Sequence, residues 1–200
     1  MIYIDDHIWD FDLQEALEAV SPQRRTYALR YRQERDQRLC IAAYRLLQQA
    51  LWQEHGMAQV PEFYYNAAGK PLLNGHPEIH FSLSHCHQAV ACVLSDQPVG
   101  IDVETFDHYS QEVASRVMND NEMRQILNSP HPTIAFARLW TMKESLFKLT
   151  GDDHGGDIAH MLDDTAQYHF STLITPHYAL TPCTTTQASN KQGFSLKTNN

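Results

Sequence analysis

The chain has 200 residues, a formal net charge of −9, 42% apolar and 20% charged side chains, and no apolar run long enough to cross a bilayer, so it reads as a globular protein and not a membrane one. The acidic balance counts against general nucleic-acid binding, which needs a basic surface to displace counterions. Cys40, Cys86, Cys92 and Cys183 form no C-x-x-C pair, which argues against a zinc knuckle or redox motif, and the N-terminus lacks the basic and apolar regions of a secretory signal, so the cytoplasm is the expected location.

In chain order, Ile2 to Ile8 reads as a first strand and Leu13 to Val20 as a short acidic helix ending before Ser21-Pro22. Residues 1 to 18 hold six acids and no base, whereas residues 21 to 45 hold seven arginines against Glu34 and Asp36. Such a segment is either a solvated helix face or a local anion site. Leu39, Ala42, Ala43, Leu46, Leu47, Ala50 and Leu51 then follow the spacing of a buried helical stripe that Gly56 closes. Gly69-Lys70-Pro71 and Asn74-Gly75 mark a loop with turn chemistry.

Ile79, Phe81 and Leu83 alternate with His80, Ser82 and Ser84 as a strand, and Ala89 to Leu94 is a continuous apolar strand. Ser95 to Pro98 reads as a turn that folds the strand 99 to 104 back antiparallel on 89 to 94. Farther on, Val113 to Met118 and Met123 to Leu127 have helical patterns, Pro130 and Pro132 interrupt them, and a helix from about Thr133 to Leu149 ends at Gly151. Tyr168 to Ile174 alternate as a strand, with another near Tyr178 to Leu180. Residues 183 to 200 are polar and expected to be a disordered tail. The order of strand, helices and strands occurs twice, broken near residue 98, which suggests a duplicated α+β architecture.

The chemistry concentrates in Val99-Gly100-Ile101-Asp102-Val103-Glu104 and in Trp140-x-x-Lys143-Glu144-Ser145-x-x-Lys148. Along a strand Asp102 and Glu104 share one face. On a helix Trp140, Glu144 and Lys148 form one stripe, roughly 12 Å long. If the helix covers the strand's polar side, Asp102, Glu104 and Glu144 converge. Three carboxylates repel one another unless a cation lies between them, and all-oxygen donors suit Mg²⁺. Taken singly, the same residues also fit a half-buried strand with a solvated face and a surface ion pair. His85-Cys86-His87 raises a transition-metal reading, but no second Cys or His cluster has ligand spacing.

Phe81-Ser82-Leu83-Ser84-His85, Val99 to Glu104 and Trp140 to Lys148, with Gly69-Lys70-Pro71 where that family has its G-K-P loop, resemble the surfactin-synthetase type of 4′-phosphopantetheinyl transferase over roughly residues 21 to 151. The short acyl-carrier-protein synthase type, a trimer of half-length chains, fits this length less well. The resemblance implies an α+β fold of two pseudo-symmetric lobes, each a small mostly antiparallel sheet packed with helices, over residues 1–98 and 99–182. It also implies a monomer that binds coenzyme A between the lobes and moves its phosphopantetheine arm to a serine of an apo acyl, peptidyl or aryl carrier protein, with no nucleic acid and no membrane involved.

By the same resemblance Asp102, Glu104 and Glu144 would hold Mg²⁺, Lys148 would stabilise the leaving phosphate, and Glu144 or a metal-bound water would take the serine proton. Arg24, Arg38, Lys70, Ser84, His85, Lys143 and Lys148 would contact coenzyme A. The chain departs from the family at Tyr27, where some relatives have a lysine, and in the acidic loop 151–157. Alternative functions are a metal-dependent phosphodiesterase or nuclease, and an inactive relative that binds coenzyme A or a carrier.

Overall fold

The computed structural model describes residues 1–151, 156–186 and 195–198. Its elements are β1 (Ile2–Asp5), α1 (Leu13–Ala19), α2 (Pro22–Ala28), α3 (Glu34–His55), β2 (Phe63–Tyr65), β3 (Pro71–Leu73), β4 (His80–His85), β5 (Val90–Ser95), β6 (Val99–Thr105), α4 (Gln111–Val117), α5 (Asp120–Leu127), α6 (Pro132–Thr150), a 3₁₀ turn (Ile158–His160), β7 (Tyr168–Phe170), β8 (Leu173–Ile174), β9 (Tyr178–Thr185) and β10 (Leu196–Thr198). One sheet has the order β10-β1-β5-β4, a second has β6-β9-β7 with β8 also on β9, and β2 pairs with β3 in a small ribbon. This is the α+β arrangement of small, mostly antiparallel sheets and helices that the sequence implies.

The period-two burial of β5 explains the layering. Val90, Cys92 and Leu94 face a core shared with α3, whose buried stripe runs through Leu39, Ala43, Leu47 and Leu51. Ala91 and Val93 face the other way, onto Val99, Ile101 and Val103 of β6 and Leu180 of β9. Each such aliphatic side chain stabilises the fold by roughly 1.5–3 kcal/mol when fully buried. Leu146 and Leu149 of α6 then close on Cys183 of β9. The sheets therefore lie between the two long helices, one helix against each.

Helix boundaries follow local chemistry. Ser21 caps α2, with Pro22 in its first turn, and α3 and α6 end on Gly56 and Gly151, whose φ values of 66° and 69° only glycine adopts without strain. Gly100 has a different reason to lack a side chain. A Cβ there would stand 1.9 Å from the Ser145 carbonyl oxygen and 2.7 Å from the Leu149 nitrogen, so α6 crosses β6 in backbone contact.

Three expectations change. Strand 99–104 does not form a hairpin with 89–94: β6 pairs with β9, and β5 lies between β1 and β4. Ser95 to Pro98 is a crossover between sheets, because β1 and β4 already occupy both sides of β5, and Val99, Ile101 and Val103 are buried in the core between the sheets. The strand over 168–174 is two pieces, interrupted opposite Pro182, which has no N–H for a ladder. The polar C-terminal stretch is not wholly a tail: Cys183 to Thr185 complete β9, and Leu196 to Thr198 run parallel to Ile2, Tyr3 and Ile4. Most of the acidic loop 151–157 lies outside the described residues.

Candidate active site

The second face of β6 carries the site. With Val99, Ile101 and Val103 turned into the core, Gly100, Asp102 and Glu104 face α6. Gly100 brings the helix close, so Lys148 reaches down to place Nζ 2.6 Å from Asp102 Oδ1. Ser84 reaches the same oxygen from β4, donating its hydroxyl over 2.7 Å, and its Oγ accepts from Lys148 Nζ at 3.0 Å and from the Val103 N–H at 3.3 Å. Ser82, two residues earlier on the same face, accepts the Ile101 N–H at 3.1 Å. The two serines thus join the first sheet to the second through side chains, and at the same time orient the acid.

Asp102 is buried, and its second oxygen, Oδ2, is buried without a hydrogen-bond partner among the described residues. Such an oxygen is costly unless something positive meets it. Glu144, half-buried on α6, has its carboxyl pKa raised by burial, then by Asp102, with Glu104 adding to the effect against the opposing pull of Lys148. Glu104 is raised as well, first by burial and then by Asp102, although His108 opposes the shift. The three carboxylates therefore share one electrostatic neighbourhood. Their donors are hard oxygens, one of them unpaired and buried, and this fits a divalent cation of the Mg²⁺ type.

Beside this group opens a cleft of about 220 Å³, lined by the Gly69-Lys70-Pro71 turn, Phe81, Ser82, Leu83, Phe147, Lys148 and Gly151. The loop touches the end of α6 closely: a Cβ on Gly151 would lie 2.9 Å from that of Ala68. Lys70 reaches inward to donate to the Val99 carbonyl at 2.9 Å, and burial lowers its pKa to about 8. Two ammonium groups and several apolar walls in one cleft suit a ligand with anionic phosphates and an apolar arm.

The other expected contacts are placed unevenly. His85 lies at the end of β4 with its outer edge exposed, but the surrounding protein desolvates its ring and, with Lys148, lowers its pKa. Arg24 donates to the Cys40 carbonyl at 2.6 Å and lies over the rings of Tyr27 and Tyr44. Arg38 is occupied by Glu34 at 2.9 Å and by the Phe11 carbonyl at 2.7 Å. Much of the basic segment is thus spent on fastening α2 and α3 to their neighbours.

Lys143 is a correction. It is fully buried, paired with Glu122 of α5 at 2.9 Å, and donates to the carbonyls of Ile158 and Ala159 at 2.8 and 2.9 Å. Its neighbour Glu144 faces the site, and one residue turns the helix by about 100°, so Lys143 points into the interior and not toward phosphate. Sequence reasoning also passed over Phe147, which lines the cleft, and His108, whose Nδ1 lies 3.0 Å from Glu104 Oε1. No spacing signals His108, because Glu104 lies in a strand and His108 in the loop that follows it.

Fold and site together define a class: a two-sheet α+β protein in which a cluster of three carboxylates borders a lysine-lined cleft. A profile described as the 4′-phosphopantetheinyl transferase superfamily matches residues 98–195, a span that includes Asp102, Glu104, Glu144 and Lys148. The chain is similar to the 4′-phosphopantetheinyl transferase Sfp of Bacillus subtilis, 28% identical over 153 residues that cover 75% of this chain and 68% of that protein. It is 30% identical to a 4′-phosphopantetheinyl transferase of Bacillus pumilus over 154 residues, 74% of this chain and 65% of the relative. With AcpT of Escherichia coli (strain K12) it shares 29% identity over 126 residues, 60% of this chain and 62% of that one. The chain is thus similar to 4′-phosphopantetheinyl transferases across the residues that build the site.

Proposed function

We propose that this protein transfers the 4′-phosphopantetheine arm of coenzyme A to a serine hydroxyl of an apo carrier protein, of the acyl, peptidyl or aryl kind, releasing adenosine 3′,5′-bisphosphate. We take it to act as a cytoplasmic monomer, with residues 1–98 and 99–182 as its two lobes and coenzyme A between them. No helix among the described residues is long and apolar enough to cross a membrane. The observation that carries the reading is Asp102: buried between Ser84 and Lys148, with one oxygen unmatched, beside Glu104 and Glu144 and next to the cleft.

In the reaction the serine oxygen forms a bond to the β-phosphorus of coenzyme A while the bond from that phosphorus to the bridging oxygen breaks. The serine loses a proton and the departing adenosine bisphosphate takes up the electron pair. Asp102, Glu104 and Glu144 would hold Mg²⁺, which when bound supplies charge neutralisation at the pyrophosphate. Lys148 would lend its ammonium to the leaving phosphate, and its bonds to Asp102 and Ser84 pre-position it for this. Glu144 would accept the serine proton, a role that its raised pKa favours. Lys70 would meet a second phosphate from the cleft's far wall, with Phe147 and Leu83 along the apolar arm. Ser84 and His85 would line the coenzyme A side of the site, and Arg24 and Arg38 would act at its border.

The test is mass spectrometry of a panel of apo carrier proteins incubated with coenzyme A and MgCl₂. One carrier gains the mass of one arm with the native protein, while Asp102→Ala and Glu144→Gln lose at least about a thousand-fold in rate. Near-native turnover in both variants would overturn the assignment.

A further inference from the structure

Next to the carboxylate cluster, but on the outer surface, the fold brings His87 to an adjacent pair of residues that begins 20 positions later in the sequence. His87, in the turn after β4, lies with Asp107 and His108, in the loop after β6, so that one nitrogen or oxygen donor from each falls within 4.8 Å of the others. We infer that His87, Asp107 and His108 form a second metal site, selective for a borderline transition ion such as Zn²⁺ and distinct from the all-carboxylate site for Mg²⁺.

Hydrogen bonds and ring contact hold the three side chains close together. His108 Nδ1 lies 3.0 Å from Glu104 Oε1, and with the proton on that nitrogen the lone pair is on Nε2. A carboxylate on the far nitrogen of a metal-binding histidine is the usual support of such ligands. Thr105 donates its hydroxyl to Asp107 Oδ1, while Asp107 Oδ2 lies 3.1 Å from His87 Nε2. The two imidazole rings meet edge to face, with centroids 5.6 Å apart. Two imidazoles and a carboxylate favour zinc over magnesium, and an exposed site leaves the fourth position to water. Tetrahedral donors at zinc distances stand roughly 3.4 Å apart, and exposed side chains can rotate to close the present span. Because β4 and β6 are fastened at Ser82 and Ser84, the turn and the loop are kept in register, which no spacing along the chain reveals.

The test is calorimetric titration of the full-length, tag-free protein with ZnCl₂ in a large excess of MgCl₂, alongside His87→Ala, Glu144→Gln and His7→Ala. His7 is the control because it forms the other donor group, with Asp5 and Asp6. One zinc per chain is expected, with affinity falling ten-fold or more in His87→Ala and unchanged in the other two. Co²⁺ should give a visible ligand-field absorption that Asp107→Asn abolishes. Absence of zinc binding, binding indifferent to His87→Ala, or binding lost in Glu144→Gln or His7→Ala would each overturn the proposal.

Discussion

Lys70 shows how much a single residue's surroundings decide. Its ammonium lies in the cleft against the Val99 carbonyl, and desolvation lowers its pKa to about 8. The folded pKa is below the unfolded one, so the charged form is penalised at neutral pH and stability rises as pH climbs from about 8 toward the usual lysine value. A bound phosphate would remove that penalty. The KM for coenzyme A should therefore rise several-fold between pH 7 and 9, and Lys70→Arg, always charged, should flatten the profile. Initial rates at saturating carrier and Mg²⁺ measure both. Glu104 and Glu144 run the opposite way: their raised pKa values mean that the fold holds protons that the unfolded chain releases, so stability falls as pH rises through their titration. A bound cation reverses this. Adding Mg²⁺ should raise the melting temperature at pH 7.5, and the gain should shrink toward pH 5 and vanish on chelation. Asp102, Glu104, Glu144 and Lys148 were legible as a group because strand and helix periods alone put them on matching faces, whereas the helix period gives Arg38 its neighbour Glu34 but not the distant Phe11 carbonyl that also holds it.

At the level of elements, α6 serves two sides. One face carries Glu144 and Lys148 over β6, and another buries Lys143 against Glu122 and the carbonyls of the 3₁₀ turn. Glu122 also completes the capping box of α5 with Asn119, so the Lys143–Glu122 pair fastens α5, α6 and the 3₁₀ turn together. Removing either partner leaves a buried charge unmatched. Lys143→Ala should cost about 3–5 kcal/mol in chemical denaturation, with the KM for coenzyme A unchanged in the folded protein. A phosphate contact would give the reverse, a raised KM at native stability. The sequence shows the Lys-Glu pair but not this division, because both residues are charged and only the packing of α5 makes an interior position hospitable to one of them. The hairpin expected from Ser95 to Pro98 fails for a related reason: a turn signal specifies a change of direction and not the strand that is met afterwards.

Across the whole molecule the two sheets are coupled by the core between them and by the serine hydroxyls of β4 that receive the N–H groups of β6. Calorimetry should therefore record one unfolding transition, and Ser82→Ala should lower its midpoint by several degrees without splitting it, since one buried N–H is left unmatched. Two separate transitions would mean that the halves fold independently. Periodicity and motif were enough to determine the α+β class, the long helices, the acid-bearing face of β6 and the acid and lysine stripe of α6, since these depend on the fixed geometry of strands and helices. Only the tertiary structure decided that β6 joins β9, that Cys183 to Thr185 and Leu196 to Thr198 belong to the sheets, that Lys143 is interior and that His87 meets His108. Those outcomes follow from how buried surface and paired charge are shared among segments distant in the chain, and no local pattern carries that balance.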